Sequence, residues 1–159
     1  MLIAYRIADG RHKVFDGTGA MLQGARWNSP GRAVIYAALS YAGAMLEQLV
    51  HASTGRVPRN QKYVVISIPA KVRIERRARD DLPGGWDHED CRASRAFGDE
   101  WLASERSAVL LVPSLVAEPE TNVLLNPAHS HFRMIRASEP KTVKWDERLF
   151  KKRLATRRP

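Results

Sequence analysis

A chain of 159 residues, 44% of them apolar and 27% charged, holds enough sequence for one globular domain and excludes a wholly disordered one. A single cysteine, Cys91, excludes an internal disulfide framework and a cysteine-rich zinc site. The net charge of +9 bounds partners rather than fold, leaving nucleic acid, a phosphorylated small molecule or an acidic protein.

Cysteine usage predicts a reducing, cytoplasmic setting. Met1–Arg6 has neither the basic start nor the long apolar core of a signal peptide. No run approaches the roughly 18 apolar residues of a membrane span. Leu2–Ala8 reads as a strand that Asp9-Gly10 ends with turn chemistry. Arg11–Gly31 reads as a long glycine-rich loop, the kind of segment that carries function more often than not. Ala33–Ala37 is a short buried strand. Ser40 is then a candidate N-cap for a helix whose Ala42, Met45, Leu46, Leu49 and Val50 form one apolar face, with Gly55 and Pro58 as its stop.

Tyr63–Ile68 is the strongest strand pattern. A second helix is expected from Asp87 or Asp90 to about Ser104, with Phe97 and Trp101 on one face. Ala108–Val112, a short piece at Leu124-Leu125, Phe132–Arg136 and Thr142–Trp145 complete the expected strands. Mixed strands and two modest helices without regular alternation predict an α+β domain over 1–150, with mostly antiparallel sheet and a basic tail over 151–159. No dinucleotide-fold Gly-x-Gly-x-x-Gly follows a strand, and no Walker loop or His-Glu-x-x-His occurs.

Two basic clusters, Arg73/Arg76/Arg77/Arg79 and Lys151/Lys152/Arg153/Arg157/Arg158, read as solvated surface, because neither interleaves aromatics as a single-strand binding platform does. His51, His129 and His131 lack an acidic third ligand, so no metal site is expected. Cys91 has no evident base partner and does not read as a nucleophile. Three polar residues stand out. Arg26 lies in the glycine-rich loop, where a guanidinium could pair with phosphate. Tyr36 lies in a buried strand and offers either a core ring or a platform for a flat heterocycle. Glu47 lies off the apolar stripe of its helix, so solvent is its expected environment. Ser107 and Asn122 precede strands and read as turn or cap residues.

The ordered series Ala4-Tyr5-Arg6-Ile7-Ala8, Phe15–Ala20, Gly24–Gly31, Val34–Ala37, Leu46-Glu47, Gly98–Leu102, Arg106–Ser114 and Glu120–His129 resembles the RES-domain toxins. That resemblance spans residues 4 to 149, with Ala25 standing where a second glycine is common. It implies a fold similar to ADP-ribosyltransferases of the diphtheria-toxin kind, an Xre-type helix-turn-helix antitoxin as partner, and NAD⁺ as substrate without a cofactor or metal. It also implies that Arg6, Arg26, Tyr36, Glu47, Ser107 and Asn122 line the NAD⁺ pocket. In that role Glu47, Arg26 and Tyr36 are catalytic: Glu47 stabilises an oxocarbenium-like ribose, the arginines hold the pyrophosphate and Tyr36 packs on nicotinamide. The acceptor stays open between water, phosphate and a protein target. Direct nucleic-acid binding, an RNA-cleaving activity and a purely adhesive module are the rival readings, the first two suggested by charge alone.

Overall fold

The computed structural model describes residues 1–51 and 57–150, so Gly55 and the basic tail expected over 151–159 lie outside the described residues. Eight strands form one sheet: β1 (Leu2–Asp9), β2 (Ile35–Ala38), β3 (Gln61–Ile68), β4 (Ile74–Arg76), β5 (Val109–Pro113), β6 (Thr121–Leu125), β7 (Arg136–Ala137) and β8 (Lys141–Thr142). Their order is β4-β5-β6-β2-β1-β3-β7, and β8 also pairs with β3. Only β4–β5 is parallel among these pairings. Among the described residues three α-helices accompany the sheet, α1 (Thr18–Gln23), α2 (Tyr41–His51) and α3 (Arg92–Ser104), in the expected α+β architecture.

The apolar runs of β5 and β6 are continuous because both faces of the sheet are covered. Val109 and Leu111 of β5 and Val123 and Leu125 of β6 join Ala4, Val64, Ile66 and Ile68 in one core. Leu110, Val112 and Leu124 point the other way, against Trp101 and Leu102 of α3. The two-residue period of the strand assigns each side chain to its layer. Phe132–Arg136 is not the expected strand. Ser130–Met134 turns as a 3₁₀ helix whose Phe132 and Met134 close the first core, and extended pairing begins only at Arg136. The glycine-rich stretch also holds more structure than a loop, since α1 interrupts it.

The apolar face expected for α2 is only partly the one it buries: Met45 packs against the core, but the helix is turned about that residue. Gly43 and Ala44 are buried, whereas Leu46 is 40% and Val50 56% exposed. The seat of the helix explains the rotation. Ser40 Oγ accepts the Gly43 N–H at 2.8 Å, as an N-cap does, and donates to Glu120 Oε2 at 2.8 Å beside β6. A Cβ at Gly43 would lie 3.0 Å from Ser40 Oγ and 3.1 Å from Glu120 Oε2, so the helix approaches the sheet through its smallest residue.

A second close approach fixes α3. The position of a Cβ on Gly98 lies 1.9 Å from the Trp27 carbonyl oxygen, a rigid backbone atom. Trp27 in turn stacks on Trp86 and meets Phe97 edge-on. Gly98→Ala must therefore part α3 from the 24–30 loop. A loss of about 1–3 kcal/mol is expected, the usual cost of overpacking, read as a lowered thermal midpoint in calorimetry; an unchanged midpoint contradicts the contact.

Candidate active site

The sheet nearly divides between β1 and β2. Strand β1 pairs with β3 over its whole length and β2 with β6 over its whole length, but β1 and β2 share only the Tyr5↔Ala38 pair. A cleft of about 710 Å³ opens along this seam, a size within the usual range for ligand pockets. One wall carries Glu47 and Gln48 of α2 with Pro113 and Asn122, and the other carries Arg26 and Trp27 with Cys91 and Arg95. Arg6 and Tyr36 lie between, on the two diverging strands.

Arg6 bridges the seam. Its Nε donates to Val14 O at 2.6 Å, Nη1 to Tyr36 O at 2.7 Å and Nη2 to Asp16 O at 3.2 Å. Three of its five N–H groups thus hold backbone where a ladder is missing, leaving two for a ligand. Burial lowers its pKa from the ordinary arginine value and the nearby Asp16 opposes that shift.

Tyr36 faces the cleft with its ring, but its hydroxyl belongs to the loop. It donates to Asn28 Oδ1 at 2.7 Å and accepts the Trp27 N–H at 3.1 Å. Burial pushes the hydroxyl pKa above the ordinary tyrosine value, and both hydrogen bonds commit that hydroxyl to the loop. Asn28, which sequence reasoning passed over, is fully buried and its amide nitrogen donates to the Ala20, Ser29 and Arg32 carbonyls. Arg26 Nη1 donates to Trp86 O at 3.1 Å and His88 O at 2.9 Å, tying this loop to the segment before α3.

Glu47 is half-buried rather than solvated, because α2 turns this face to the sheet. Its Oε1 accepts from Ser114 Oγ at 3.0 Å and from Asn122 Nδ2 at 2.8 Å. No protein donor reaches Oε2 among the described residues, so one carboxylate oxygen is anchored and the other remains for a ligand. Ser114 is itself fixed, accepting from the Val116 and Ala117 N–H groups.

Ser107 does not line the cleft. It is buried beneath α3, accepting from Trp101 Nε1 at 2.9 Å and donating to Val109 O at 3.0 Å. The serine beside Glu47 is Ser114, at the other end of the same strand. The strand pattern marks both serines equally; Ser107 is taken up by Trp101, and Ser114 is the one that bonds Glu47. Asn122 reaches the site through Glu47. Among the described residues, no group of three metal-ligating side chains is present.

A protein-family model described as the RES domain matches residues 3–146. This chain belongs to the RES-domain toxin family. It is 42% identical to the "Prs ADP-ribosylating toxin" of Sphingobium sp. over 86% of each chain. It is 37% identical to a "Toxin Res" of Yersinia enterocolitica, over 93% of this chain and 99% of that one. Among solved structures, a chain of the M. tuberculosis MbcT–MbcA toxin–antitoxin complex superposes with a TM-score of 0.71 at 17% identity, covering 88% of this RES protein and 82% of its counterpart. That likeness reports the fold.

Tyr36→Phe keeps the ring of this RES protein and removes the hydroxyl from two buried partners. A loss of about 1–3 kcal/mol is expected, as for a buried hydrogen-bonding group left unpaired. Chemical denaturation measures it, and a variant as stable as the parent contradicts the anchoring role.

Proposed function

We propose that this RES toxin cleaves the nicotinamide–ribose bond of NAD⁺. The observation that carries the reading is the charge inventory of the cleft. Its lining holds three arginines, Arg6, Arg26 and Arg95, and a single carboxylate, Glu47. None of the four forms an ion pair among the described residues. Unpaired guanidinium groups suit a pyrophosphate.

One carboxylate limits the chemistry. Ordinary glycoside hydrolysis uses two, one to protonate the leaving oxygen and one to act on the other face. The pyridinium of NAD⁺ needs no such acid. When the C1′–N bond breaks, the electron pair neutralises the ring nitrogen and nicotinamide leaves uncharged. The positive character passes to C1′, where Glu47 stabilises it and accepts a hydrogen bond from a ribose hydroxyl at Oε2. The acceptor bonds to C1′ and loses its proton. Ser114 and Asn122 hold Oε1, so the carboxylate is oriented before the charge develops. Water or phosphate is the acceptor in this reading, and NAD⁺ is consumed as substrate.

A second reading changes only the acceptor, to a side chain of a protein target. The name of the Sphingobium relative favours it. The two separate on one assay. Nicotinamide release from purified protein and NAD⁺ alone supports degradation; release that requires an added protein, with label from NAD⁺ retained on it, supports transfer. The natural partner in either case is an antitoxin, of the Xre type on the family resemblance, seated over the cleft. The exposed Val50 and Leu115 at the cleft give such a partner apolar surface to cover.

Glu47→Gln is expected to slow nicotinamide release by about 10²–10³, the usual effect of removing one preorganised electrostatic contact. NAD⁺ binding should persist, because the charge it answers develops in the transition state. Expression of the parent without antitoxin should arrest growth and deplete cellular NAD⁺, and the variant should do neither. Turnover of Glu47→Gln at the parent rate, with the same thermal midpoint, overturns the assignment.

A further inference from the structure

We infer that Arg95 of α3 is a principal phosphate-binding residue of the cleft; this rests on the NAD⁺ reading and extends it to a residue that the family resemblance does not assign. The three cleft arginines differ in what they have left to give. Arg6 has Nε, Nη1 and Nη2 all donating to carbonyls. Arg26 uses Nη1 on two carbonyls. Arg95 donates through Nε alone, to Ala25 O at 2.9 Å. Its two terminal nitrogens carry four N–H groups, and none meets a protein acceptor among the described residues.

The carboxylate that helix spacing offers Arg95 does not pair with it, and its Oδ1 turns to the 24–32 segment. Asp99 lies four positions on, where an i,i+4 pair would form. It accepts the Ser29 N–H at 2.9 Å and sits 3.5 Å from Arg32 Nε instead. Arg95 is half-buried in the cleft wall. A partly desolvated guanidinium with its forked end free, steered by a backbone carbonyl at Nε, is arranged for a bidentate oxyanion. The same Nε contact joins it to the loop that carries Arg26, so both cations bear on the wall facing Glu47. Glu47 takes the ribose at one end of the bound dinucleotide and Arg95 takes phosphate oxygens farther along, with Arg6 beneath.

The test is binding of ADP-ribose, which carries the pyrophosphate and no cleavable nicotinamide, to the purified full chain by calorimetry. Arg95→Ala should raise the Kd about tenfold or more, the equivalent of one charge-assisted contact. Arg95→Lys, which keeps the charge and loses the fork, should recover part of it. With NAD⁺ as substrate, Arg95→Ala should raise KM and leave kcat within a few-fold. An unchanged Kd for ADP-ribose in Arg95→Ala overturns the assignment. A weakened Kd that tracks a lower thermal midpoint and is not recovered by lysine also overturns it, since Arg95 then acts only by holding the loop at Ala25. If the parent protein binds neither ADP-ribose nor NAD⁺, the NAD⁺ reading fails and this inference with it.

Discussion

The molecule depends on how it handles the seam between β1 and β2. Two antiparallel strands that meet at one residue pair leave backbone groups without ladder partners, which is costly in a protein interior. Arg6 resolves this with a side chain. Its guanidinium reaches the Tyr36 carbonyl across the seam and the Val14 and Asp16 carbonyls of the following loop. A planar group with five donors can do what a backbone N–H cannot, serving three carbonyls that point from different directions. The sheet thereby stays one sheet while a cleft opens in its middle. The charge that closes the gap is also a charge that an anionic ligand can use.

The geometry of the cleft follows from what is fixed on either side of that seam. On the β6 side, α2 is mounted at two points: Ser40 meets Glu120 at the helix start, and Glu47 meets Asn122 nearly two turns later. Glu120 and Asn122 stand two apart along extended chain, so they present to the same side. The helix cannot rotate without breaking one contact or the other. Facing it, the 24–30 loop is held by the buried Asn28 and by the Tyr36 hydroxyl. Much of the polar content of the cleft therefore positions other groups, and Glu47 Oε2 with the arginine N–H groups that meet no protein acceptor among the described residues is what remains open to a ligand.

The strands were legible in the sequence because Val, Ile and Leu dominate them and both faces of the sheet are covered. Tyr63–Ile68 and Ala108–Val112 lie within or over β3 and β5 with shifts of one or two residues at their ends. The orientation of α2 was not legible. Its apolar stripe is real, but the seat on Gly43 leaves Leu46 and Val50 exposed and holds Glu47 against Asn122, a choice made by Glu120 and Asn122 far away in the chain. Ser107 and Ser114 show the same limit. They flank one five-residue strand and stand about 20 Å apart along it at 3.3 Å per residue. Local pattern does not say which end meets the cleft; the burial of Trp101 over Ser107 does. Arg95 was hidden for a related reason, since its role depends on Asp99 being engaged elsewhere.

The exposed apolar side chains of α2 have a consequence for what can come to lie over the cleft. Val50 follows Glu47 by three positions and so lies beside it on the helix surface, exposed like Leu46 and lining the same cleft, and the helix is only about 10 Å wide. A cover drawn to the apolar side by ordinary desolvation comes to rest within a helix diameter of the cleft mouth, where Val50 is already part of the rim. Whatever adheres to this part of the helix also stands over the cleft.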